Sequence, residues 1–589
     1  MKGQSKGYRA LLRYLWLYRA YLGIGLLALL LSDSLQMTLP LITKQVVDHL
    51  STSKISHAYL IHQALIVLVL SFVCYWARYS WRYFMFTSAR YSELDIRQRL
   101  FDRAVRLSAG YHGSTRTGEL MALSTNDVTA VRMALAFGLM SSFDTVAYTA
   151  MGIGAMFHLD WKLTLWTLLP FPLLGLLIRW VLERTYVAFS DVQKSFENLT
   201  EKVRESIAGM RILRAYVQAP GDEREFERQT HQLYACNLKH VRYDGLYSPV
   251  ILFLSGMSSS ILLAVGGQQV IRGETTLGTF SAFSQYLAQL VWPMIAAGWT
   301  MSLVQRGAAS MNRIQDLLDQ EPEPVQPRLE TPALGKLEVR NLTFTYPQGE
   351  GPAVQNVSFA LQPGASLGIV GQIGSGKSTL AQLALRLFDP PPGTVLVDGR
   401  DVLDYNLTEL RERISWVSQE AFLFSESIED NLRLSQPDAP FSELEAVARL
   451  ASLHKEVLEF PQGYQTMLGE RGVTLSGGQK QRLCLARALL KKAAIFVLDD
   501  TLSAVDAETE EAILAGLKGH LRGSTALVIS HRISSVRDLA HILVLDHGRV
   551  VQRGEHADLI GHAGFYQDLY RLQKEEEALG VPCRGGGVD

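Results

Sequence analysis

Hydrophobic and polar positions divide this chain in two. Through residues 1–310 the apolar residues come in long runs, near 21–45, 60–84, 135–157, 162–184, 247–271 and 277–303. Each is long and apolar enough to cross a bilayer as a helix, which takes ~20 residues. Trp and Tyr flank these runs, as they do where helices leave a membrane. The pattern predicts six spans rather than the buried helices of a water-soluble core. From 335 to 575 it changes to that of a soluble α/β domain. The expected fold is therefore an all-α six-helix membrane domain fused to an α/β domain.

Between the spans, segments 90–108 and 190–215 keep helical periodicity and strong helix formers, so the helices should continue well beyond the bilayer. Two turn-prone breaks, Gly113-Ser-Thr-Arg-Thr-Gly-Glu-Leu and Ile207-Ala-Gly-Met-Arg-Ile, suit short transverse helices that touch the soluble domain; plain connecting turns are the simpler alternative. Residues 1–318 are assigned to the membrane domain and 319–334, rich in proline and charge, to an extended, exposed linker. The soluble domain follows at 335–575, and 576–589 is expected to be a disordered tail.

Charge sets the orientation. Segment 87–133 carries seven arginines and 185–245 nine Lys or Arg, while the opposite loops hold only Lys54, Lys162 and Arg272. The positive-inside rule places both long loops in the cytoplasm. Six spans then put both termini and the soluble domain there too, in a multi-pass protein of the cytoplasmic (inner) membrane. The basic, amphipathic start, through Arg19, lacks a cleavable signal pattern and reads as an interfacial helix entering the first span. A formal net charge of −1 gives no reason to expect nucleic acid. The four cysteines (Cys74, Cys236, Cys484, Cys583) are too scattered for a disulfide framework or a zinc site.

The chemistry lies in the second part. An apolar strand, Ala365-Ser-Leu-Gly-Ile-Val, leads into Gly371-Gln-Ile-Gly-Ser-Gly-Lys-Ser-Thr379, a P-loop between strand and helix. Gly371, Gly374 and Gly376 let the backbone N–H groups, with those of Ser375 and Thr379, curl around phosphate oxygens at the positive end of the helix. Lys377 would reach the β- and γ-phosphates and Ser378 would ligate Mg²⁺. A second apolar run, Ile495-Phe-Val-Leu-Asp499, suits a central parallel strand whose terminal aspartate holds Mg²⁺. Between them, 24 residues before Asp499, stands Leu475-Ser-Gly-Gly-Gln479. Ser476, Gly477, Gly478 and Gln479 would form a second phosphate-binding helix start.

In order and spacing, these motifs resemble the ATP-binding cassette (ABC) transporters of the exporter type, over nearly the whole chain and in the form of a half-transporter. A nearer likeness, to the A subunit of bacterial multidrug-resistance-like (Mdl-type) heterodimeric exporters, rests on Asp499-Asp-Thr-Leu-Ser-Ala-Val-Asp506 and Val291-Trp-Pro-Met. The resemblance implies further roles. Tyr346 would stack on adenine. Gln419 would sense Mg²⁺ and water and touch the membrane domain. Gly469-Glu-Arg-Gly would be the exporter-specific loop before the signature. Ser503–Asp506 would cross a dimer interface, and His531 would contact the γ-phosphate. It also implies that two such domains meet head to tail around ATP, so that a second half-transporter is required.

Asp500 departs from the pattern: the family places a glutamate there to polarise the attacking water. An aspartate carboxylate falls roughly one bond, ~1.5 Å, short, and a misplacement near that size costs ~10²-fold in rate. The expectation is a site that binds MgATP and hydrolyses it slowly, paired with a competent partner in a heterodimer; a homodimer with an adequate Asp500 is the competing view. Within the spans, Asp33, Asp144, Arg78 and Arg82 either attract a cationic amphiphile into a cavity or pair with one another. Tyr286, Trp292 and Met294 offer soft apolar contacts. The predicted activity is ATP-driven export of amphipathic substrates by alternating access. An exporter-fold importer of a metal chelate and a non-transporting ATP-sensing subunit are the alternatives.

Overall fold

The computed structural model describes residues 4–52, 56–324, 326–328, 332–347, 349, 351–469 and 472–578. Lys54, Glu470, Arg471 and Cys583 lie outside them, as does the tail from 579 on. The chain forms two compact units: Met1–Arg106 with Thr115–Glu321, and Leu107–Ser114 with Pro322–Asp589.

Six helical stretches in the first unit are long and apolar enough to span a membrane: Arg19–Ser51, His57–Val105, Thr117–Leu159, Trp161–Ala208, Ala219–Arg272 and Leu277–Leu318. Their lengths run from 33 to 54 residues, well past the ~20 a bilayer needs. The excess is the helical continuation expected for 90–108 and 190–215. The basic N-terminal segment is a helix, Gln4–Leu17, packed against Leu277–Leu318. Gly7 N donates there to Asn312 Oδ1 at 2.6 Å. Three π-helical turns interrupt the regular ladder, at Leu123–Asp127, Ala134–Gly138 and Leu262–Gly266.

The last stretch is the hub of this unit, packing on the first and third. Its inner face carries Phe283, Tyr286, Leu287 and Leu290, which close on Met37, Tyr148 and Met156. Polar groups in the interface are satisfied between helices: Tyr286 donates to the Met37 carbonyl at 2.8 Å and Thr300 to the Ser141 hydroxyl at 2.7 Å. Such bonds are favoured where lipid offers no partner for a polar group. Farther along, Arg313 pairs with Asp127.

The second unit has ten described strands. They are β1 (Leu337–Phe344), β2 (Val354–Leu361), β3 (Ser366–Gly371), β4 (Val395–Val397), β5 (Arg400–Asp401), β6 (Ile414–Val417), β7 (Ile495–Asp499), β8 (Thr525–Ile529), β9 (His541–Asp546) and β10 (Arg549–Gly554). One sheet runs β2-β1-β4-β5 and is antiparallel; the other runs β10-β9-β3-β8-β7-β6, parallel except for β10. β7 is buried on both faces, as a central parallel strand should be. Its side chains alternate between two cores. Ile495 and Val497 face the core that holds the β1–β2 strands and the helix Lys377–Ala384, while Phe496 and Leu498 face the core of the helices around Gly477–Leu490.

The described residues of the segment 319–334 are tied to the second unit. Arg411 pairs with Glu323 at 3.0 Å, Asn406 donates to the Gln326 carbonyl at 2.6 Å, and Arg413 donates to that of Pro332 at 3.0 Å. At the other end the helix Phe565–Ala578 continues past residue 575, so 576–578 are helical and the expected tail does not begin there. Gln573 and Tyr566, bonded back to the domain, hold this helix in register.

Candidate nucleotide site

The carboxyl ends of parallel strands are where an open α/β sheet gathers its ligand-binding groups. Here that edge carries, strand by strand, the P-loop after β3, His531 after β8, Asp499 and Asp500 at the end of β7, and Gln419 after β6. Four motifs separated by up to 160 residues in sequence thus become neighbours along one edge.

The P-loop needs its glycines. Gly376 sits at φ +90° as N-cap of the helix Lys377–Ala384, and a Cβ there would strike the Ala353 carbonyl. Gly371 lies so close to the Leu545 carbonyl on β9 that no side chain fits. Ser375 is buried beneath the loop and Gly374 is exposed on it at positive φ. Lys377 Nζ donates to the Gly371 and Gln372 carbonyls at 2.8 and 2.6 Å. Burial pulls its ammonium below the ordinary lysine value, against the opposing charges of Asp500 and Asp499. Asp499 is pushed the other way: burial raises its carboxyl, a hydrogen bond from Ser378 lowers it, and the Asp500 charge raises it again. Asp499 Oδ1 is buried without a donor, next to the Ser378 hydroxyl. A buried oxygen pair of this kind fits a hard divalent cation.

Asp500 stands at φ +50°, with its N–H on the Ile529 carbonyl of β8 at 2.8 Å. Its carboxylate Oδ1 lies 2.6 Å from His531 Nδ1. Tyr346 lies against the P-loop helix, its hydroxyl 3.0 Å from Thr379 Oγ1 and 2.9 Å from Gln382 Oε1. Its ring meets Phe344 and Phe388 edge-on. Gln419 is exposed.

The signature segment stands elsewhere. Ser476 caps the helix Gly477–Leu490 in a full capping box with Gln479, and Gln479 Nε2 also donates to Glu456 at 2.8 Å. Gly477 and Gly478 form the first turn. Leu475 and the buried face of this helix belong to the second core, not to the core of the P-loop helix. Pattern reading did not reveal the connection between the two. Gln481 donates to Ser503 Oγ at 2.8 Å and accepts from Ala504 N at 2.9 Å, while Ser503 Oγ donates to the Asp500 carbonyl at 3.1 Å. Arg532, next to His531, holds the same loop through the Ser503 and Val505 carbonyls and pairs with Glu510 at 2.8 Å. Such ties join residues distant in sequence and leave no local pattern.

A P-loop, an acidic strand end and a histidine on one sheet edge, carried with six membrane-length helices, point to an ATP-powered membrane transporter. Residues 22–294 match the model of the ABC transporter transmembrane region and 354–503 that of the ABC transporter. The chain is 36% identical over 569 residues to the multidrug resistance-like ATP-binding protein MdlA of Escherichia coli (strain K12), covering 95% of each. It is 33% identical over 496 residues to the ATP-dependent lipid A-core flippase of Syntrophus aciditrophicus (strain SB), covering 82% of this chain and 81% of that protein. Among solved structures, a bacterial Atm1-family ABC exporter with ATP bound superposes at a TM-score of 0.78 with 25% identity, over 94% of this chain and 98% of the other. The chain belongs to the ABC transporter family, as a half-transporter of the exporter type: a membrane-embedded, ATP-binding exporter subunit whose ATPase is coupled to transport.

Proposed function

We propose that this chain is the slow-site half of a heterodimeric exporter that moves amphipathic compounds (drug-like, lipid or peptide) outward across the cytoplasmic membrane. Its termini and nucleotide domain, 335–575, would face the cytoplasm. Asp500 is the observation that carries this reading. It occupies the position where hydrolysis needs a long carboxylate, and every nucleotide-binding group around it is present.

In this reading Tyr346 stacks on adenine, the loop Gly371–Thr379 cradles the phosphates, and Lys377 neutralises them. Ser378 and Asp499, with Gln419, would hold Mg²⁺, which supplies charge neutralisation on the phosphates. His531, 2.6 Å from Asp500 Oδ1, orients that carboxylate. Asp500 then accepts a proton from the attacking water from a distance too long for efficiency. Ser476–Gln479 close the partner's site, where a glutamate would do the faster hydrolysis. The likeness to proteins named as multidrug resistance-like and as a lipid A-core flippase supports an amphipathic cargo.

The test is reconstitution of the purified chain in liposomes, alone and with a candidate second half. Alone, it should bind ATP and show little ATPase activity or transport; the pair should show both, and both should stop when Mg²⁺ is withheld. Robust ATP hydrolysis and transport by the chain alone would sink the division of labour.

A further inference from the structure

A cavity of about 420 Å³ lies in the second unit, between β8 and the helix Ala507–His520. It falls within the ~300–1,000 Å³ typical of small-molecule sites. β8 is an interior strand, between β3 and β7, and Thr525, Ala526, Leu527 and Ile529 are buried in it. Val528 is only half-buried. It sits on a seam, touching both the core around the helix Gly477–Leu490 and the core of Ile533, Val536 and Tyr566. Leu514 and Leu521 fringe the first core and Leu539 the second, each of them half-buried. These four aliphatic side chains line the cavity.

Its two ends differ in chemistry. The inner end reaches Leu498, Thr501 and Ile529–Ser530, which flank Asp499–Asp500 and precede His531. The serines on that side are already engaged. Ser534 and Ser535 donate to Glu510 Oε1 at 3.0 and 2.6 Å, and Ser530 Oγ accepts from Arg532 N at 3.0 Å. The exposed lining residues gather at the other end, near the start of β3 and β8: Gly364, Lys518, Arg522 and Asp538. Lys518 is paired with Asp538 at 2.7 Å. Among the described residues Arg522 pairs with no carboxylate. The mouth therefore carries one unbalanced positive charge over an apolar interior. That combination matches a ligand with an aliphatic body and one anionic end, since a guanidinium is the natural partner of a carboxylate.

We propose that this cavity binds a medium-chain organic carboxylate, with its alkyl chain between β8 and the helix Ala507–His520 and its carboxylate on Arg522. At roughly 30 Å³ for each small group in a liquid, the share of one water, the space holds a chain of about eight to ten carbons. The site is separate from the nucleotide edge. Tyr346, Lys377, Ser378 and Gln419 do not line it, so it fills with or without ATP. It depends neither on a second half-transporter nor on the direction of transport.

The experiment uses the full-length chain in lipid nanodiscs without nucleotide, with empty nanodiscs as background. Octanoate carrying a diazirine at its chain end is photolysed with the protein, and the labelled residues are mapped by mass spectrometry. Labelling should saturate and fall within 498–502, 514–521 or 526–539. At equal free concentration, plain octanoate should compete about tenfold better than octanol or octylamine, the size of a charged contact. Arg522→Gln should remove that advantage and bring octanoate level with octanol, while Arg522→Lys, which keeps the charge, should retain most of it. Leu514→Trp, which fills the space, should abolish the labelling. ATP binding by each variant reports folding; if Leu514→Trp fails that check, the two Arg522 variants carry the comparison. Labelling that does not saturate or that maps outside the cavity would overturn the site. So would equal competition by octanoate and octanol, or an octanoate advantage that survives Arg522→Gln.

Discussion

Asp500 is held from three directions, which makes the length of its side chain the main variable. Its N–H bonds to β8, its carbonyl accepts from Ser503, and its carboxylate meets His531. Asp500→Glu would keep the backbone anchors and extend the carboxylate by one bond. We expect the chain's own ATPase rate to rise by roughly 10–100-fold, the cost of a ~1 Å misplacement, with ATP affinity unchanged. Single-turnover hydrolysis beside equilibrium nucleotide binding measures both. An unchanged rate would mean that the site is slow for a reason other than reach. The identity of this residue was plain in sequence, as were Lys377, Asp499 and His531, because strand-end motifs carry their own spacing. The left-handed backbone of Asp500 was not, because β8 and the loop at Ser503 impose it. Nor was the free Asp499 Oδ1, since burial is a property of the packed sheet.

At the scale of elements, hydropathy made the six spans legible because each helix is long and its apolar content is averaged over many turns. The π-turns at Leu123–Asp127, Ala134–Gly138 and Leu262–Gly266 were not legible, because a π-turn alters the hydrogen-bond register without altering composition. The first transverse helix was expected around Gly113–Leu120, but the structure starts it earlier, at Ala109–Ser114, because Ser108 Oγ accepts from Tyr111 N and opens the helix there. The second break is at Gly209, before the short helix Met210–Ala215, close to where it was expected. The C-terminal helix Phe565–Ala578 has a role that its amphipathic pattern did not suggest. Gln573 donates to the His531 carbonyl at 2.7 Å and accepts from Ile533 N at 2.9 Å, so it clamps the segment that carries His531. Gln573→Ala removes two hydrogen bonds worth about 1 kcal/mol each. The expected result is a drop in kcat of about three- to tenfold, with ATP affinity little changed because Lys377 and the P-loop are untouched. Gln573→Glu keeps the acceptor for Ile533 N and should fall between the two. An equal loss of ATP affinity would mean that the helix supports the whole domain rather than the switch segment.

The whole molecule works only if events at the nucleotide edge reach the membrane helices. The chain builds one such link from its own sequence. Leu107–Ser114 follows the helix His57–Val105 of the membrane unit, yet it packs as part of the nucleotide unit. Gly110 lies close to Phe388: a Cβ there would be 3.1 Å from Phe388 Cε1, tighter than a relaxed contact. Phe388 in turn packs edge-on against Tyr346, 5.0 Å between ring centres. A side chain at residue 110 therefore presses on a ring that packs against Tyr346, the residue proposed to stack on adenine. Gly110→Leu should displace Phe388 or lift the short helix, because well-packed interfaces do not deform continuously. The consequence expected for the assembled transporter is uncoupling. ATP hydrolysis by the pair should persist within about threefold, since no phosphate-binding group is altered, while ATP-dependent substrate efflux falls by about tenfold or more, the size of effect that ~1.4 kcal/mol of lost coupling produces. Gly110→Ala, which adds a single methyl, should give a smaller defect of the same kind. Measuring transport and ATPase on the same proteoliposomes separates the outcomes. Equal falls in both would place the damage in the nucleotide domain itself, and full transport by Gly110→Leu would show that this link carries no part of the signal.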